Sequence, residues 1–353
     1  MKQILNVGNF QIKEHSRVFI IAEAGVNHNG ELEKALQLVD IAAGAGADCV
    51  KFQTYRPEGV VTKRGGMAKY QEKNLGQQIS QLEMIKVFEL NENYYPAIIK
   101  RCKERNIIFL STPHGGKQSI ELLESLGVVA YKVGSGDLTN YIALGEIAKK
   151  GKPIIIGTGM ATMDEVKDAV RFIESRGNNQ IAMLHCTTNY PCPPDEVNLK
   201  AMQTMMEGLD VPVGYSDHTQ GSQTAVMAVT MGAAIYECHF TIDKTLPGPD
   251  HVASASPEEL KERIEAIRQV PVILGRSEKV PTQGEIELPI IMPRKSIVAV
   301  SNLPAGHIIS KEDLEAKRPG DGTSPTIYEQ FIGKKLKKAV SKDDQLFLDD
   351  IEK

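Results

Sequence analysis

The stretch AAIYECHF, residues 233–240, sets a glutamate and a histidine two positions apart inside an otherwise apolar run. Alternate side chains of a strand share a face, so Glu237 and His239 point one way and Tyr236, Cys238 and Phe240 the other. A buried polar group left without a partner costs roughly 2–7 kcal/mol, so other parts of the chain must supply partners for this face. Seven runs of the same kind precede it: VFIIAE (18–23), DCVKFQ (48–53), IIFLST (107–112), VVAYKV (128–133), PIIIGT (153–158), IAMLHC (181–186) and VPVGYS (211–216). Segments with helical periodicity separate them. In ELEKALQLVDIAAGAG (31–46), for instance, Leu32, Ala35, Leu36 and Val39 line one stripe. Strand alternating with helix predicts an α/β fold with parallel strands, and eight repeats predict a closed (β/α)8 TIM barrel. The runs are apolar on both faces, as strands covered by helices are.

The 353 residues are 41% hydrophobic and 24% charged, the composition of an ordinary globular chain. A net charge of −4 gives no general basic field for nucleic acid or an anionic membrane. The local run Lys334, Lys335, Lys337 and Lys338 reads as a solvated helix face. Cys49, Cys102, Cys186, Cys192 and Cys238 are odd in number and lack C-x-x-C spacing, which predicts reduced thiols. The N-terminus is too polar for a signal peptide, and no run approaches the ~18 apolar residues of a membrane span. The expected location is the cytoplasm, with neither membrane nor nucleic acid as partner.

Residues 1–280 are expected to form the barrel domain, opened by a hairpin over 4–13 around Gly8 and Asn9 that covers the bottom of the barrel. An insertion over about residues 55–82 follows the second strand, on the face where such barrels do chemistry. The proline-rich segment 281–293 reads as a linker without helix. Residues 294–353 form a second, mainly β domain, too small to be stable without packing on the barrel or on a second subunit.

Polar residues collect at the C-terminal ends of all eight strands, where barrel enzymes place their sites. They include Glu23, Lys51 and Gln53, Thr112, Lys132 with Ser135 in GSGD (134–137), Thr158, HCTTNYP (185–191), YSDHT (215–219), and Glu237 with His239. Two lysines among hydroxyls and glycine-flanked N–H groups suit a small polyanion bearing phosphate and carboxylate. His218 and His239, on neighbouring strands, are candidate ligands for one divalent ion, with Asp217 and Glu237 as acid/base groups or groups that orient those ligands. The loop LPGPDHVASAS (246–256) holds Asp250 and His251 at the same rim, where a carboxylate can hydrogen-bond sugar hydroxyls.

The motifs IAEAGVNHNG (21–30), VKFQT (50–54), FLSTP (109–113), KVGSGD (132–137), GYSDHT (214–219), HFT (239–241) and GPDH (248–251) resemble those of the sialic acid synthase family. LPAGHIISKEDLEAKRPGDGTSP (303–325) is similar to that family's companion domain, related to type III antifreeze protein (SAF). The resemblance covers the whole chain in order. It implies condensation of phosphoenolpyruvate with N-acetylmannosamine to a nonulosonic acid plus phosphate. Lys51, Thr112, Lys132, Ser135 and Thr158 would hold phosphoenolpyruvate, and His218 and His239 would bind Mn2+ or Mg2+. Gln53, Tyr190 and Asp250 would bind the sugar, and Glu23 would act as acid or base. Arg318 would reach the N-acetyl group from the small domain of a second copy, which implies a domain-swapped homodimer. CTTNYP (186–191) departs from the family's pattern and leaves either Thr188 or Asn189 as a further polar contact. One alternative acceptor is 2,4-diacetamido-2,4,6-trideoxymannose, which would make the chain an N,N'-diacetyllegionaminate synthase. Another alternative is a 3-deoxy-2-keto acid synthase acting on a phosphorylated aldose, for which the insertion offers Lys63, Arg64, Lys69 and Lys73. A carbohydrate- or ice-binding module fits poorly with the charges of Lys311, Glu312, Asp313 and Arg318.

Overall fold

The structure, a computed structural model, describes residues 3–14, 16–62, 64–67, 69–75, 79–287 and 293–352. It divides into two compact units, residues 1–275 and 276–353. The first opens with an antiparallel hairpin, β1 (Leu5–Val7) and β2 (Phe10–Ile12). Gly8, at φ +59°, turns it, a backbone conformation open to glycine at little cost. Eight parallel strands follow: β3 (Phe19–Gly25), β4 (Cys49–Thr54), β5 (Ile108–Pro113), β6 (Tyr131–Val133), β7 (Ile154–Gly157), β8 (Ile181–His185), β9 (Val213–Asp217) and β10 (Ile235–His239). They lie in the order β5-β4-β3-β10-β9-β8-β7-β6, and β5 packs beside β6 to close the barrel.

Helix α1 (Leu32–Ala45) follows β3. After β4 come α2 (Pro57–Val60), α3 (Lys69–Leu75) and α4 (Gln81–Val87), all in or beside the expected insertion, and then α5 (Tyr95–Glu104). The later strands lead to α6 (Lys117–Ser125), α7 (Tyr141–Ala148), α8 (Met163–Ser175), α9 (Leu199–Gly208), α10 (Gln223–Thr230) and α11 (Pro257–Leu274). Caps fix several starts: Ser80 and Glu83 form a capping box on α4, as do Ser256 and Glu259 on α11.

The two faces of each strand have separate cores. Outward residues such as Ile20, Val50, Ile154, Ile156, Met183, Tyr215 and Tyr236 pack under the helices. Inward residues at the strand starts, among them Phe19, Ile21, Cys49, Leu110, Ile155, Leu184 and Ile235, pack with Leu5, Val7 and Ile12 of the hairpin. The hairpin therefore plugs the N-terminal end of the barrel, as expected. Continuing along each inward row, apolar residues give way to polar ones: Ile21 to Glu23, Cys49 to Lys51, Leu110 to Thr112, Ala130 to Lys132, and Ile235 to Glu237. This period-two change confines the chemistry to the C-terminal mouth.

The second unit has its own small core, including Ile297, Leu303, Ile309, Phe331, Leu346 and Ile351, around the antiparallel pair β11 (Ser296–Ala299) and β12 (Leu314–Lys317). Two local expectations differ. The segment read as a helix-free linker contains α12 (Gln283–Glu287), started by a reciprocal Thr282–Glu285 cap. The basic run is not helical: bridges link Lys335 to Ile308 and Leu336 to Ile351, so Leu336 is buried while Lys334, Lys335, Lys337 and Lys338 stay exposed. All five cysteines are free and buried. Among the described residues no helix is long and apolar enough to cross a membrane.

Candidate active site at the barrel mouth

Glu23, Lys51, Lys132 and Glu237 are each at most 4% exposed and form one chain of alternating charge. Lys51 Nζ lies 2.9 Å from Glu23 Oε2 and 3.7 Å from Glu237 Oε2, and Lys132 Nζ lies 3.1 Å from Glu237 Oε1. Lys51 also donates to Thr112 Oγ1 (3.2 Å), Gln53 Nε2 to Glu23 Oε1 (3.2 Å) and Ser216 Oγ to Glu237 Oε1 (2.9 Å). Strand alternation accounts for the convergence, because each of these residues falls on the inward row.

The two carboxylates differ in character. Burial opposes the ionised form of both. At Glu237, Lys132 and Lys51 with the Ser216 hydroxyl outweigh that penalty and hold the carboxyl down at about 2. At Glu23 burial prevails over Lys51, the Glu237 charge adds to it, and the group is raised above the ordinary carboxylate value. Lys51 is raised despite burial by Glu23 and Glu237, whereas Lys132 is lowered by burial with Lys51 adding to it. Glu237 is thus a fixed anion, while Glu23 is suited to carry a proton.

Beside Lys132, Ser135 Oγ accepts from the Gly159 N–H (2.9 Å) and lies 3.0 Å from Cys186 Sγ. A Cβ on Gly159 would strike Thr188 Oγ1, so Thr188 closes over this cradle. Asn189, exposed like Thr188, instead donates to Glu196 at 2.8 Å. Of the two alternatives, Thr188 is the one that faces the site.

His218 and His239 are adjacent, with ring centroids 5.6 Å apart, and Tyr190 packs on both at 4.0 and 5.7 Å. The His218 Nδ1–H donates to the Thr187 carbonyl (2.7 Å), leaving Nε2 as the lone-pair nitrogen. Burial holds both imidazoles at about 4, with His239 adding to the effect at His218 and Lys51 adding to it at His239. Neutral imidazole is the form that ligates metal, and His239 Nδ1 is buried without a hydrogen-bond partner. Among the described residues no group of three or more His, Cys, Asp or Glu side chains is arranged to hold an ion. The pair fits a metal that takes its remaining ligands from substrate or water.

A cavity opens beside these histidines. Gln53, His114, Tyr190, His239 and Asp250 line its polar side. The rest of the lining is mixed: Val26, Tyr55, Val60, Met84, Ile85 and Phe88 give apolar surface, and Gln71 of α3 and Gln81 of α4 add amides, with Met84 on α4 and Phe88 directly after it. Burial, with Glu23 adding to it, pushes Asp250 up to about 7. His251 anchors the Asp250 loop through Thr241 (2.6 Å) and Asn29 (3.0 Å), and Asn74 on α3 donates to the Pro249 carbonyl at 2.7 Å.

Two expected site residues face elsewhere. Thr158 lies on the outward row with Ile154 and Ile156; its hydroxyl donates to the Leu184 carbonyl (2.9 Å) and lies 3.8 Å from Met205 Sδ on α9. Asp217 is outward as well, accepting from Tyr236 Oη and the Thr219 N–H, both at 2.8 Å, with Arg263 of α11 at 3.9 Å. Because Arg263 also donates to the Thr219 carbonyl (2.9 Å), Asp217 clamps the loop that carries His218. Arg318 is exposed in the second unit. Arg64 is exposed, Lys63 lies outside the described residues, and so do the side chains of Lys69 and Lys73. Sequence reading missed Ser216, Cys186, the Gly159 N–H, His114 and Asn74. Parity along the strand points to Ser216, which shares the inward row of β9 with Gly214.

A parallel barrel whose mouth gathers a buried lysine–glutamate chain next to two neutral histidines has its titratable groups where barrel enzymes place their active sites. The chain belongs to the NeuB family, whose model matches residues 38–279, and carries a SAF domain over 294–352. It is 42% identical to the N,N'-diacetyllegionaminic acid synthase of Campylobacter jejuni, over 93% of this chain and 98% of that protein. It is 43% identical to the synthase of the same description from Legionella pneumophila, over 95% and 94%. The crystal structure of N-acetylneuraminic acid (sialic acid) synthetase from Leptospira borgpetersenii, in complex with citrate, matches with a TM-score of 0.70 at 33% identity, covering 81% of this chain and 95% of that one. The chain is accordingly a synthase of the nonulosonic acid type.

Proposed function

We propose that the protein condenses phosphoenolpyruvate with an N-acetylated amino-sugar aldehyde, giving a nonulosonic acid and phosphate in the cytoplasm. The observation that carries this reading is the chain Glu23–Lys51–Glu237–Lys132 beside the His218–His239 pair. Lys51 and Lys132 offset the charge of the phosphate and carboxylate, and Thr112, Ser135 and the Gly159 N–H complete the cradle. Glu237, held as an anion, keeps both lysines protonated and aimed inward. Glu23, raised towards its neutral form, supplies a proton to the aldehyde oxygen as C3 of phosphoenolpyruvate bonds to the aldehyde carbon. His218 and His239 would hold a divalent ion, Mn2+ or Mg2+, which would supply Lewis-acid polarisation of that aldehyde. Gln53, Tyr190 and Asp250 orient the sugar.

For the acceptor, 2,4-diacetamido-2,4,6-trideoxymannose is favoured. Its 6-methyl and second acetamido methyl suit the apolar patch of Val26, Tyr55, Met84 and Phe88, and the Gln71 and Gln81 amides of the same cavity suit the polar atoms of that second acetamido group. The two legionaminic acid synthase relatives point the same way. N-acetylmannosamine is the second reading, supported by the likeness to the sialic acid synthetase. The test is phosphate release and product mass with phosphoenolpyruvate, Mn2+ and each acceptor in parallel. The trideoxy sugar should exceed N-acetylmannosamine in kcat/KM by roughly 10–200-fold, the discrimination an apolar pocket gives. Equal or reversed preference would reject the apolar-patch reading, and no release with any acceptor would reject the synthase assignment.

We also propose that Arg318 completes the site of a second copy, on the family resemblance and its exposure. Mixing inactive Arg318→Ala and Lys132→Met proteins under exchange conditions should then restore part of the activity. Exchange that restores none would exclude the swap.

A further inference from the structure

His114 immediately follows β5 and has no place in the roles assigned so far. Its ring lines the cavity with Gln53, Tyr190, His239 and Asp250. Its Nδ1 lies 3.3 Å from Asp137 Oδ2, and Asn140 donates to the other Asp137 oxygen at 2.9 Å. A Cβ on Gly134 would come within 3.2 Å of the His114 Cε1, so glycine at that position makes room for the ring. Gly134 directly precedes Ser135 of the anion cradle. The imidazole therefore stands between the cradle and the acceptor cavity, oriented by a carboxylate that is itself held in place. A base fixed by a third group in this way is the arrangement proton-transferring histidines require.

We propose that His114 is the acid–base group for hydration and phosphate departure at C2 of the phosphoenolpyruvate-derived carbon skeleton. The proposal rests on the synthase reading above. Once C3 has bonded to the aldehyde carbon, C2 is cationic. A water oxygen bonds to C2 and its O–H bond breaks, the proton passing to His114 Nε2. The C2–O bond to the phosphate then breaks, the electron pair leaves with the phosphate oxygen, and that oxygen takes the proton from Nε2. The C2 hydroxyl loses its remaining proton as the ketone forms, and that proton restores the Glu23 carboxyl that protonated the aldehyde oxygen, so one water accounts for both protons. The buried carboxylates are less suited to this role. Glu237 is paired with two lysines, and Glu23 lies under Lys51 and Gln53, whereas the half-buried His114 can meet water.

The test compares wild type, His114→Phe, His114→Asn and Asp137→Asn with phosphoenolpyruvate, Mn2+ and the accepted sugar. Both His114 variants should lose about 100-fold or more in kcat, the scale of lost general acid–base catalysis, with KM for phosphoenolpyruvate changed only a few-fold. Rapid quench should show the phosphorylated C2 adduct accumulating, and added imidazole should restore part of the rate in His114→Asn. Asp137→Asn should alter the pH–rate profile with a smaller loss. Variants within about threefold of wild type and with its pH profile would overturn the assignment, as would a defect confined to KM. A wild-type enzyme that turns over normally beside such variants separates this failure from failure of the synthase reading, which would appear as no phosphate release by the wild type itself.

Discussion

Lys132→Met is expected to cut phosphate release about 1,000-fold, at the upper end of what removing one preorganised stabiliser costs, and also to weaken the fold. Lys132 is 3.1 Å from Glu237 and 3% exposed, so its removal leaves a buried carboxylate with only Lys51 at 3.7 Å and the neutral Ser216 hydroxyl at 2.9 Å. Breaking a buried pair from one side typically costs about 3–5 kcal/mol. The pH dependence separates the two effects. Glu237, depressed to about 2, contributes stability that is present above the ordinary carboxylate value of 4.5 and lost as the pH falls through about 2. The difference in stability between wild type and variant should therefore be widest near neutrality and narrow from about pH 4 downward. Adding Glu237→Gln should recover much of the stability and none of the activity. Denaturant midpoints across pH, with phosphate release at neutrality, test both claims. A double variant that regains turnover would show that the lysine serves structure alone.

His239→Ala should lose phosphate release by a comparable factor, about 100- to 1,000-fold, while barely changing stability. The ring is held near 4 by burial, and its Nδ1 has no protein partner, so few hydrogen bonds are lost with it. His218→Ala should behave alike but cost more stability, because its Nδ1–H holds the Thr187 carbonyl. Chelation of wild-type enzyme should reproduce the catalytic loss, and Mn2+ should restore it in wild type only. Direct measurement of Mn2+ binding by its electron paramagnetic resonance gives a readout apart from turnover. Undiminished activity after chelation, with wild-type Mn2+ binding by His239→Ala, would remove the metal from the account.

Much of this site could be read from the strands because two simple periodicities coincide. Lys51 with Gln53, and Glu237 with His239, are two apart, and the barrel places each pair on its inner side. The same rule, applied to every strand, separates Ser216 from Asp217 and marks Thr158 as outward, since it shares the parity of Ile154 and Ile156. Closeness to a strand end alone does not put Thr158 or Asp217 in the site, because parity turns both outward. Parity gives no guidance for residues beyond the strands. Whether Thr188 or Asn189 turns inward depends on the path of the 185–191 loop, which is set by tertiary hydrogen bonds such as Asn189 to Glu196. His114 gave no spacing signal, because its partners Asp137 and Gly134 lie on another loop, some twenty residues away. The basic run at 334–338 misled for a different reason: Leu336 alone is buried there, and its bridges are strand-like.

The cavity wall and the charged floor have different origins in the chain. The floor is assembled from residues on several strands, so no single segment can alter it without disturbing its neighbours. The wall facing it comes largely from one continuous stretch, from Tyr55 to Phe88, which both leaves and rejoins the barrel near the mouth. Drift, insertion or recombination within that stretch can retune which sugar is admitted while the bond-forming apparatus is inherited unchanged. The architecture thus lets a lineage change which acceptor is admitted through local exchange of one segment, with the cost of rebuilding catalysis avoided.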